Sequence, residues 1–186
     1  MAQFDPAYAI TMHNEGGYAN NPSDHGGETY KGIAIKFWPN WHGWPIVHSI
    51  AATHPASLNT ALAANADLQQ MVQSFYKANF WDTESLDNVT DQQVANQLFD
   101  IATNMGTGIA ARFMQEAVNT LSPGKLTVDG QIGPLSLAAL NGANQQSLYN
   151  AIIQLRKARY QAIIAKDPSQ QQFANSWNSR MPAYVV

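Results

Sequence analysis

Beyond residue 57, apolar side chains recur every three or four positions, the spacing at which they line one face of an α-helix. One such face follows Asp67 as the predicted N-cap, and a second follows Thr90, with Gln93 completing a capping box. A longer run extends from Leu148 to Ile163. The apolar positions of the first two faces are Leu68, Met71, Val72 and Phe75, and then Val94, Leu98, Ile101, Ala102 and Met105. The pattern therefore predicts a body built mostly of helices.

The N-terminal part of the chain follows a different pattern. Asp5 is predicted to N-cap a short helix that runs to about Asn14 or Glu15, where two glycines end it. Glycine, asparagine and proline recur in residues 18–33. These residues predict turns between short extended segments, which form either a hairpin or a three-stranded sheet. The predicted fold class is therefore mainly α, of the α+β kind, with a helical body and one small N-terminal β-hairpin or sheet.

No internal repeat, long linker or extended low-complexity tract divides the chain. We expect a single domain spanning residues 1–186, with a seam near residues 87–91. This seam separates an N-terminal half, residues 5–90, from a helical C-terminal half, residues 91–181.

Composition and charge narrow the functional classes. The net charge is −3 and 12% of residues are charged, so the basic surface on which nucleic-acid binding relies is missing. The chain has no cysteine, which excludes thiolate metal sites and thiol nucleophiles. No apolar run approaches the roughly 20 residues of a membrane span, and the N-terminus lacks the basic start and apolar stretch of a signal peptide. We expect a monomer that other machinery delivers out of the cytoplasm.

Glu15 opens the glycine-rich string EGGYANNPSDHGGETYKGIA, residues 15–34. It follows Tyr8 and Met12 at helical spacing, so it continues an apolar face, where a solvated carboxylate is not expected. It also lies at the C-terminal end of the predicted helix, where the dipole disfavours negative charge. Both effects favour the protonated carboxyl, which is the form that a general acid needs.

Asp24 follows Glu15 after eight residues, and Thr29 follows after four more. A hairpin folded back over the helix end would place Asp24 and Thr29 opposite Glu15 across a cleft. Most glycoside hydrolases use a pair of facing carboxyl groups. One protonates the leaving oxygen, and the other activates water or stabilises the positively charged transition state. Spacing alone leaves the alternative that Asp24 simply forms a turn beside Gly26.

Histidines and tryptophans cluster in residues 37–57. His42, His48 and His54 recur every six residues, but this is no metal-ligand spacing, and we predict neither a metal site nor a cofactor. The tryptophans of the segment either stack on sugars or fill the core, and we expect the core for most, with one at a cleft edge.

The string at residues 15–34 resembles the signature of glycoside hydrolase family 108, with its EGGY start, D-x-GG-x-T centre and GI end. KANFWD and LFDIATNMG resemble further family segments, and FMQEAVN, RKARY and WNSR extend the likeness over nearly the whole chain. VDGQIGPLS resembles a motif of the C-terminal region described as peptidoglycan-binding. The resemblance implies a lysozyme-like fold, with the small β element beside the active-site cleft.

The family's catalytic glutamate maps onto Glu15. The arrangement of Glu15, Asp24 and Thr29 also resembles the triad of phage-type lysozymes, although Thr29 stands one residue closer, so Glu28 and His25 remain competitors. Tyr18, Tyr30 and Asn104 are the predicted substrate-binding residues. In place of the asparagine and tyrosine that most of the family has after the threonine, this chain has Tyr30 and Lys31.

The implied activity is that of an N-acetylmuramidase, which cleaves the β-1,4 bond between N-acetylmuramic acid and N-acetylglucosamine in peptidoglycan. A lytic transglycosylase and a non-catalytic wall-binding or phage structural module are the alternatives.

Candidate partners beyond peptidoglycan are a holin, a secretion apparatus and an immunity protein. The expected place of action is the periplasm or the extracellular cell wall. The preferred peptidoglycan chemotype and the stereochemical outcome stay open.

Overall fold

The computed structural model describes residues 1–13, 15–20 and 27–186. These residues form a mainly helical protein with one small antiparallel sheet near the N-terminus, which confirms the predicted fold class. The α-helices of this part of the chain are α1 (Phe4–His13), α2 (Trp44–Ala51), α3 (Leu58–Ala64), α4 (Ala66–Tyr76), α5 (Gln92–Met105), α6 (Thr107–Leu121), α7 (Pro134–Gly142), α8 (Gln145–Lys166) and α9 (Ala174–Ser179). The strands are β1 (Tyr18–Ala19), β2 (Thr29–Tyr30) and β3 (Ile33–Ala34).

Two compact units share the chain, one made of Met1–Thr11 and Ala78–Val186 and the other of Met12–Lys77. We call them the helical unit and the sheet unit. The predicted division into residues 5–90 and 91–181 stays a prediction. No helix of the described residues is long and apolar enough to cross a membrane.

Three predicted helix starts are wrong by one or two residues. Helix α1 begins at Phe4, so Asp5 lies in its first turn. Asn65 caps α4 by accepting a hydrogen bond from the Leu68 N–H, and Asp67 lies inside the helix. Asp91 caps α5 in the same way. At α4 and α5 two residues suited to capping stand close together, and the sequence pattern does not say which one has the extended backbone that a cap needs.

The sheet unit holds the antiparallel sheet in the order β1-β2-β3. Tyr18 faces Tyr30 across the first strand pair, and Tyr30 faces Ile33 across the second. Helix α2 lies within residues 37–57, the segment in which histidines and tryptophans cluster. The buried face of α4 is formed by Leu68, Val72 and Phe75, as predicted, together with Tyr76.

The helical unit has an aromatic cluster at one side of its core. Phe4 of α1 packs against Trp81 and Phe99, with ring centroids 5.7 and 5.6 Å apart. Helix α6 packs against both α5 and α8. The DG turn of VDGQIGPLS leads through Gly133 and Pro134 into α7.

Both chain ends are hydrogen-bonded to the start of α5. Gln3 exchanges main-chain hydrogen bonds with the Gln92 side chain, at 2.7 and 2.9 Å. Val185 does the same with Gln93, at 2.9 and 2.7 Å, and the Tyr184 hydroxyl donates to the carboxylate of Asp91. Gln93 thus contacts the C-terminal segment in place of completing a capping box.

Asp100 is a buried carboxylate of α5 that contacts two guanidinium groups. One carboxylate oxygen accepts from Arg156, which is fully buried, and the other accepts from Arg180 at 3.0 Å. Gln97 completes the network by accepting from Arg156 and donating to the Arg180 carbonyl. The network joins α5, α8 and the C-terminal segment.

Replacing Asp100 with asparagine should lower the free energy of unfolding by about 3–5 kcal/mol, because two buried guanidiniums lose the charge that balances them. Urea denaturation measures this loss. Asp67→Asn is the matched control, an exposed aspartate in the first turn of α4, and should cost less than about 1 kcal/mol. Equal losses in the two variants would show that the buried network is not stabilising.

Glu84 is a buried carboxyl without a charged partner. Only 3% of the residue is exposed, and its Oε2 atom has no hydrogen-bond partner in the part of the chain that the structure describes. Burial raises the pKa of Glu84 from 4.5 to about 7, since a low-dielectric surrounding disfavours the charged form. The folded protein therefore holds this group protonated under mildly acidic conditions.

The raised pKa of Glu84 predicts a stability that falls with pH. Because the folded-state pKa lies above the unfolded one, the contribution is fully present below pH 4.5 and is lost as pH rises through about 7. The shift corresponds to about 3 kcal/mol. Thermal unfolding of Glu84→Gln should show a weaker decline between roughly pH 5 and 8. An unchanged decline would mean that other groups cause it.

Candidate active site

Glu15 follows the end of α1 in the sheet unit. The helix ends at His13, and the Glu15 N–H donates to the Met12 carbonyl at 3.2 Å. The side chain is half-buried. The chain then passes through Gly16 and Gly17 into β1, so the carboxyl group stands at the junction between helix and sheet.

The turn between β2 and β3 lies directly against the Glu15 carboxyl group. Lys31 and Gly32 have φ values of +45° and +79°, two consecutive left-handed residues as in a type I′ hairpin turn. A Cβ atom on Gly32 would lie 2.7 Å from Oε2 of Glu15 and 2.6 Å from the Tyr76 hydroxyl. Both the backbone conformation and the lack of space therefore require glycine here.

Tyr76 connects this turn to helix α4. Its ring is buried, and its hydroxyl donates to the Lys31 carbonyl at 2.6 Å. The same hydroxyl lies beside the position that a Gly32 side chain would fill, next to the Glu15 carboxyl. Tyr76 thus fixes the turn at the point where the turn meets Glu15.

Thr29 lies in β2 and is half-buried. It faces Ala19 across the sheet, and its hydroxyl donates to the Ala19 carbonyl at 3.5 Å, a long hydrogen bond. Since β2 leads directly into the turn at Lys31 and Gly32, Thr29 and Glu15 belong to one local arrangement within the sheet unit.

Tyr30 is buried, with 1% of its surface exposed. Its hydroxyl accepts a hydrogen bond from the side chain of Gln69 at 2.9 Å, and Gln69 also donates to the Leu62 carbonyl. The ring therefore supports the sheet from inside, which differs from the cleft-lining position expected from the sequence. Alternation along β2 explains the difference, because neighbouring strand residues point to opposite faces.

Glu28, the competing second carboxylate, is engaged by two side chains. His48 of α2 contacts both of its carboxylate oxygens through Nε2, at 2.9 and 3.1 Å. The pKa of the Tyr18 hydroxyl is raised, first by burial and then by a hydrogen bond to Glu28. The predicted site residue Tyr18 thus lies near Glu28.

Two predicted site residues, Asp24 and the competing His25, lie outside the described residues. Asn104 belongs to the helical unit, where it is exposed at the end of α5 and accepts a hydrogen bond from the Tyr160 hydroxyl at 3.2 Å. Among the described residues, no group of three or more histidine and acidic side chains could hold a metal ion.

Three residues support the sheet although the sequence analysis does not predict a role for them: Asn59, Gln69 and Tyr76. Asn59 accepts from the Tyr18 N–H at 2.7 Å, and its amide occupies the space that a side chain on Gly17 would need. All three come from α3 or α4, far along the chain from the residues they hold. In the sequence these residues are recognisable only as polar groups on predicted helices. Their contacts with the sheet become evident only in the structure.

A helical body with a small sheet and a carboxyl group fixed at the helix end defines a protein of the lysozyme-like class. The family model described as Glycosyl hydrolase 108 matches residues 8–106, and the model described as Predicted Peptidoglycan domain matches residues 109–182. The chain therefore belongs to the glycosyl hydrolase 108 family. It is a glycoside hydrolase that acts on peptidoglycan.

A solved structure of SagA from Brucella abortus has the same fold. It is 24% identical in sequence, and the match covers 96% of this chain and 88% of that chain with a TM-score of 0.63. At this identity the likeness bears on the fold alone. No curated protein matches the chain significantly.

Replacing Gly32 with alanine should reduce peptidoglycan hydrolysis about a hundredfold, because the new methyl group displaces the Glu15 carboxyl. Gly124→Ala is the matched control: Gly124 also has a positive φ, of +72°, but its Cβ would meet open space. This control should lose about 1 kcal/mol of stability and keep its activity. Turbidity loss of a cell-wall suspension measures the rates, and full activity of Gly32→Ala would contradict the assignment of this site.

Proposed function

We propose that the protein is an N-acetylmuramidase that cleaves the β-1,4 bond between N-acetylmuramic acid and N-acetylglucosamine, with Glu15 as the general acid. The observation that carries this proposal is the position of the Glu15 carboxyl against the turn at Gly32, beside the Tyr76 hydroxyl. A catalytic group must be held in one geometry, and this packing restricts the carboxyl group from two sides.

The proposed reaction transfers one proton from Glu15 to the glycosidic oxygen as the bond from that oxygen to the anomeric carbon breaks. Positive charge then develops on the sugar ring, and water completes the reaction by adding its oxygen to the anomeric carbon while it gives up one proton to a carboxylate, so that one proton is donated and one is taken up. A second carboxylate activates this water or stabilises the positive charge. We assign this role to Asp24, and Thr29 to positioning the water, because Glu28 is already engaged by His48 and Tyr18.

We further propose that Tyr18 contacts the glycan, since its side chain is partly exposed, and the substrate-binding role of Asn104 stays a prediction. Because the substrate is cell wall, the protein must act in the periplasm or outside the cell. Release through a holin and export by a specialised secretion apparatus are the two routes that we propose. Neighbouring genes distinguish them, since a holin gene accompanies the first and an immunity gene the second.

Glu15→Gln should lower the rate of peptidoglycan digestion by about 10²–10⁴-fold, because the amide cannot donate the proton that the leaving oxygen needs. The folded state and binding to intact cell walls should be retained. Glu116→Gln, which removes a half-buried carboxylate of α6, is the control and should keep full activity. Release of reducing ends measures the rate.

Mass spectrometry of the digest separates the alternatives. A muramidase yields products with a reducing end, whereas a lytic transglycosylase yields 1,6-anhydro products that are lighter by one water. If Glu15→Gln digests cell walls as fast as the unchanged protein, Glu15 is not the acid. If neither protein digests them, the chain is a binding module.

A further inference from the structure

A second feature of the sheet unit, outside the candidate active site, is a shallow pocket of about 340 Å³. Its walls are aromatic and apolar, with Trp41, Trp44 and His48 as the rings and two prolines and Ile35 between them. Asn40 and His42 bring exposed polar groups to the rim. None of the described lining residues carries a carboxylate, an ammonium or a guanidinium group.

Trp41 is held in a fixed orientation. Its six-membered ring lies so close to Gly43 that a Cβ atom there would overlap it. Gly43 has φ of −73°, a conformation open to any residue, so space alone requires the glycine. The ring also packs perpendicular to Trp44 with centroids 5.3 Å apart. One wall of the pocket is therefore rigid before any ligand binds.

His48 also lines the pocket and is hydrogen-bonded to Glu28. The imidazole stacks on Trp44 with centroids 6.0 Å apart, and half of the side chain is exposed. Glu28 binds Nε2 with a carboxylate that is only 13% exposed. The main chain of Glu28 is held as well, because its carbonyl accepts from the Ile35 N–H at 2.8 Å. Glu28 thus links the sheet next to Thr29 with the ring that borders the pocket.

We propose that this pocket is a saccharide subsite for one N-acetylhexosamine residue of the glycan strand, and that Glu28 is a positioning residue which orients His48 within it. This inference rests on the proposed function, since it extends the glycan contact beyond the reacting bond. Aromatic faces pack against the apolar C–H groups of a sugar ring, while amide and imidazole groups bind its hydroxyl and acetamido groups.

Size and charge favour a sugar over a stem peptide. The volume lies near the lower end of the roughly 300–1,000 Å³ of small-ligand pockets, which suits a single ring. Stem peptides of peptidoglycan carry carboxylates, and a described lining without lysine or arginine offers no permanent cation to pair with them. An N-acetylhexosamine is neutral and therefore matches this lining.

The test is a titration of full-length protein, carrying Glu15→Gln to prevent cleavage, with the tetramer of N-acetylglucosamine. We expect the NMR signals of the Trp41 indole and the His48 imidazole to shift on binding. Trp41→Ala and Asn40→Ala, each added to this protein, should weaken the binding of the tetramer about tenfold. Asn40 is exposed, so its replacement keeps the test valid if Trp41→Ala does not fold. Phe37→Ala is the matched control, a 70% exposed aromatic of the same segment outside the pocket.

Glu28 and His48 are tested separately by kinetics on cell walls with Glu15 intact. His48→Ala should raise KM about tenfold with little change in kcat, because the loss concerns binding and not the reacting bond. His48→Gln keeps a donor for Glu28 and should restore part of the lost affinity. If Glu28 were the second catalytic carboxylate, Glu28→Gln would instead lower kcat as strongly as Glu15→Gln.

The subsite is wrong if the tetramer shifts neither ring signal, or if Trp41→Ala and Asn40→Ala bind it as tightly as Phe37→Ala. These results are distinguishable from failure of the proposed function. If cleavage depends on Glu15 and the ring signals stay unshifted, only the subsite fails. If the tetramer binds at Trp41 and the unchanged protein cleaves nothing, the proposed function fails and the subsite stands.

Discussion

The sheet unit depends on the close contact at Gly32. The left-handed turn there brings the main chain against the Glu15 carboxyl group, and Tyr76 holds the turn through its hydrogen bond to Lys31. No side chain larger than hydrogen fits between these groups. The contact therefore joins three parts of the sheet unit that are separated in sequence. They are the end of α1, the turn that pairs β2 with β3, and the last residue of α4.

Three carboxylates outside this contact show how environment decides what an acidic group does. Asp100 is paired with two guanidiniums inside the helical unit, as a buried carboxylate requires. Glu84 is equally buried but has no such partner among the described residues, and burial favours its neutral form. Glu28 sits near the surface, where a histidine and a tyrosine hold it in place. The same side-chain chemistry thus serves stability, pH sensitivity and positioning.

The sequence predicts the elements of the fold better than their ends. Apolar periodicity marks α4 and α5 because burial repeats with the helical period, but Asn65 and Asp91, and not Asp67 and Thr90, are the caps. In the candidate site, Glu15 and the glycine-rich hairpin are evident from local spacing. The supporting contacts of Asn59, Gln69 and Tyr76 are not, because they join residues tens of positions apart, and no local pattern encodes such pairings. The burial of Tyr30 likewise depends on which face of a two-residue strand points inward.

Hydrogen bonds from both chain ends to neighbouring residues of α5 make the backbone of the helical unit nearly a closed ring. In topological terms, these contacts do not require the break in the backbone to lie between Val186 and Met1. A short linker between them would leave the hydrogen-bonded framework intact, and new ends could open in an exposed loop such as the one that includes Gly124. The order in which the elements are synthesised would then change while the contacts that hold them would not.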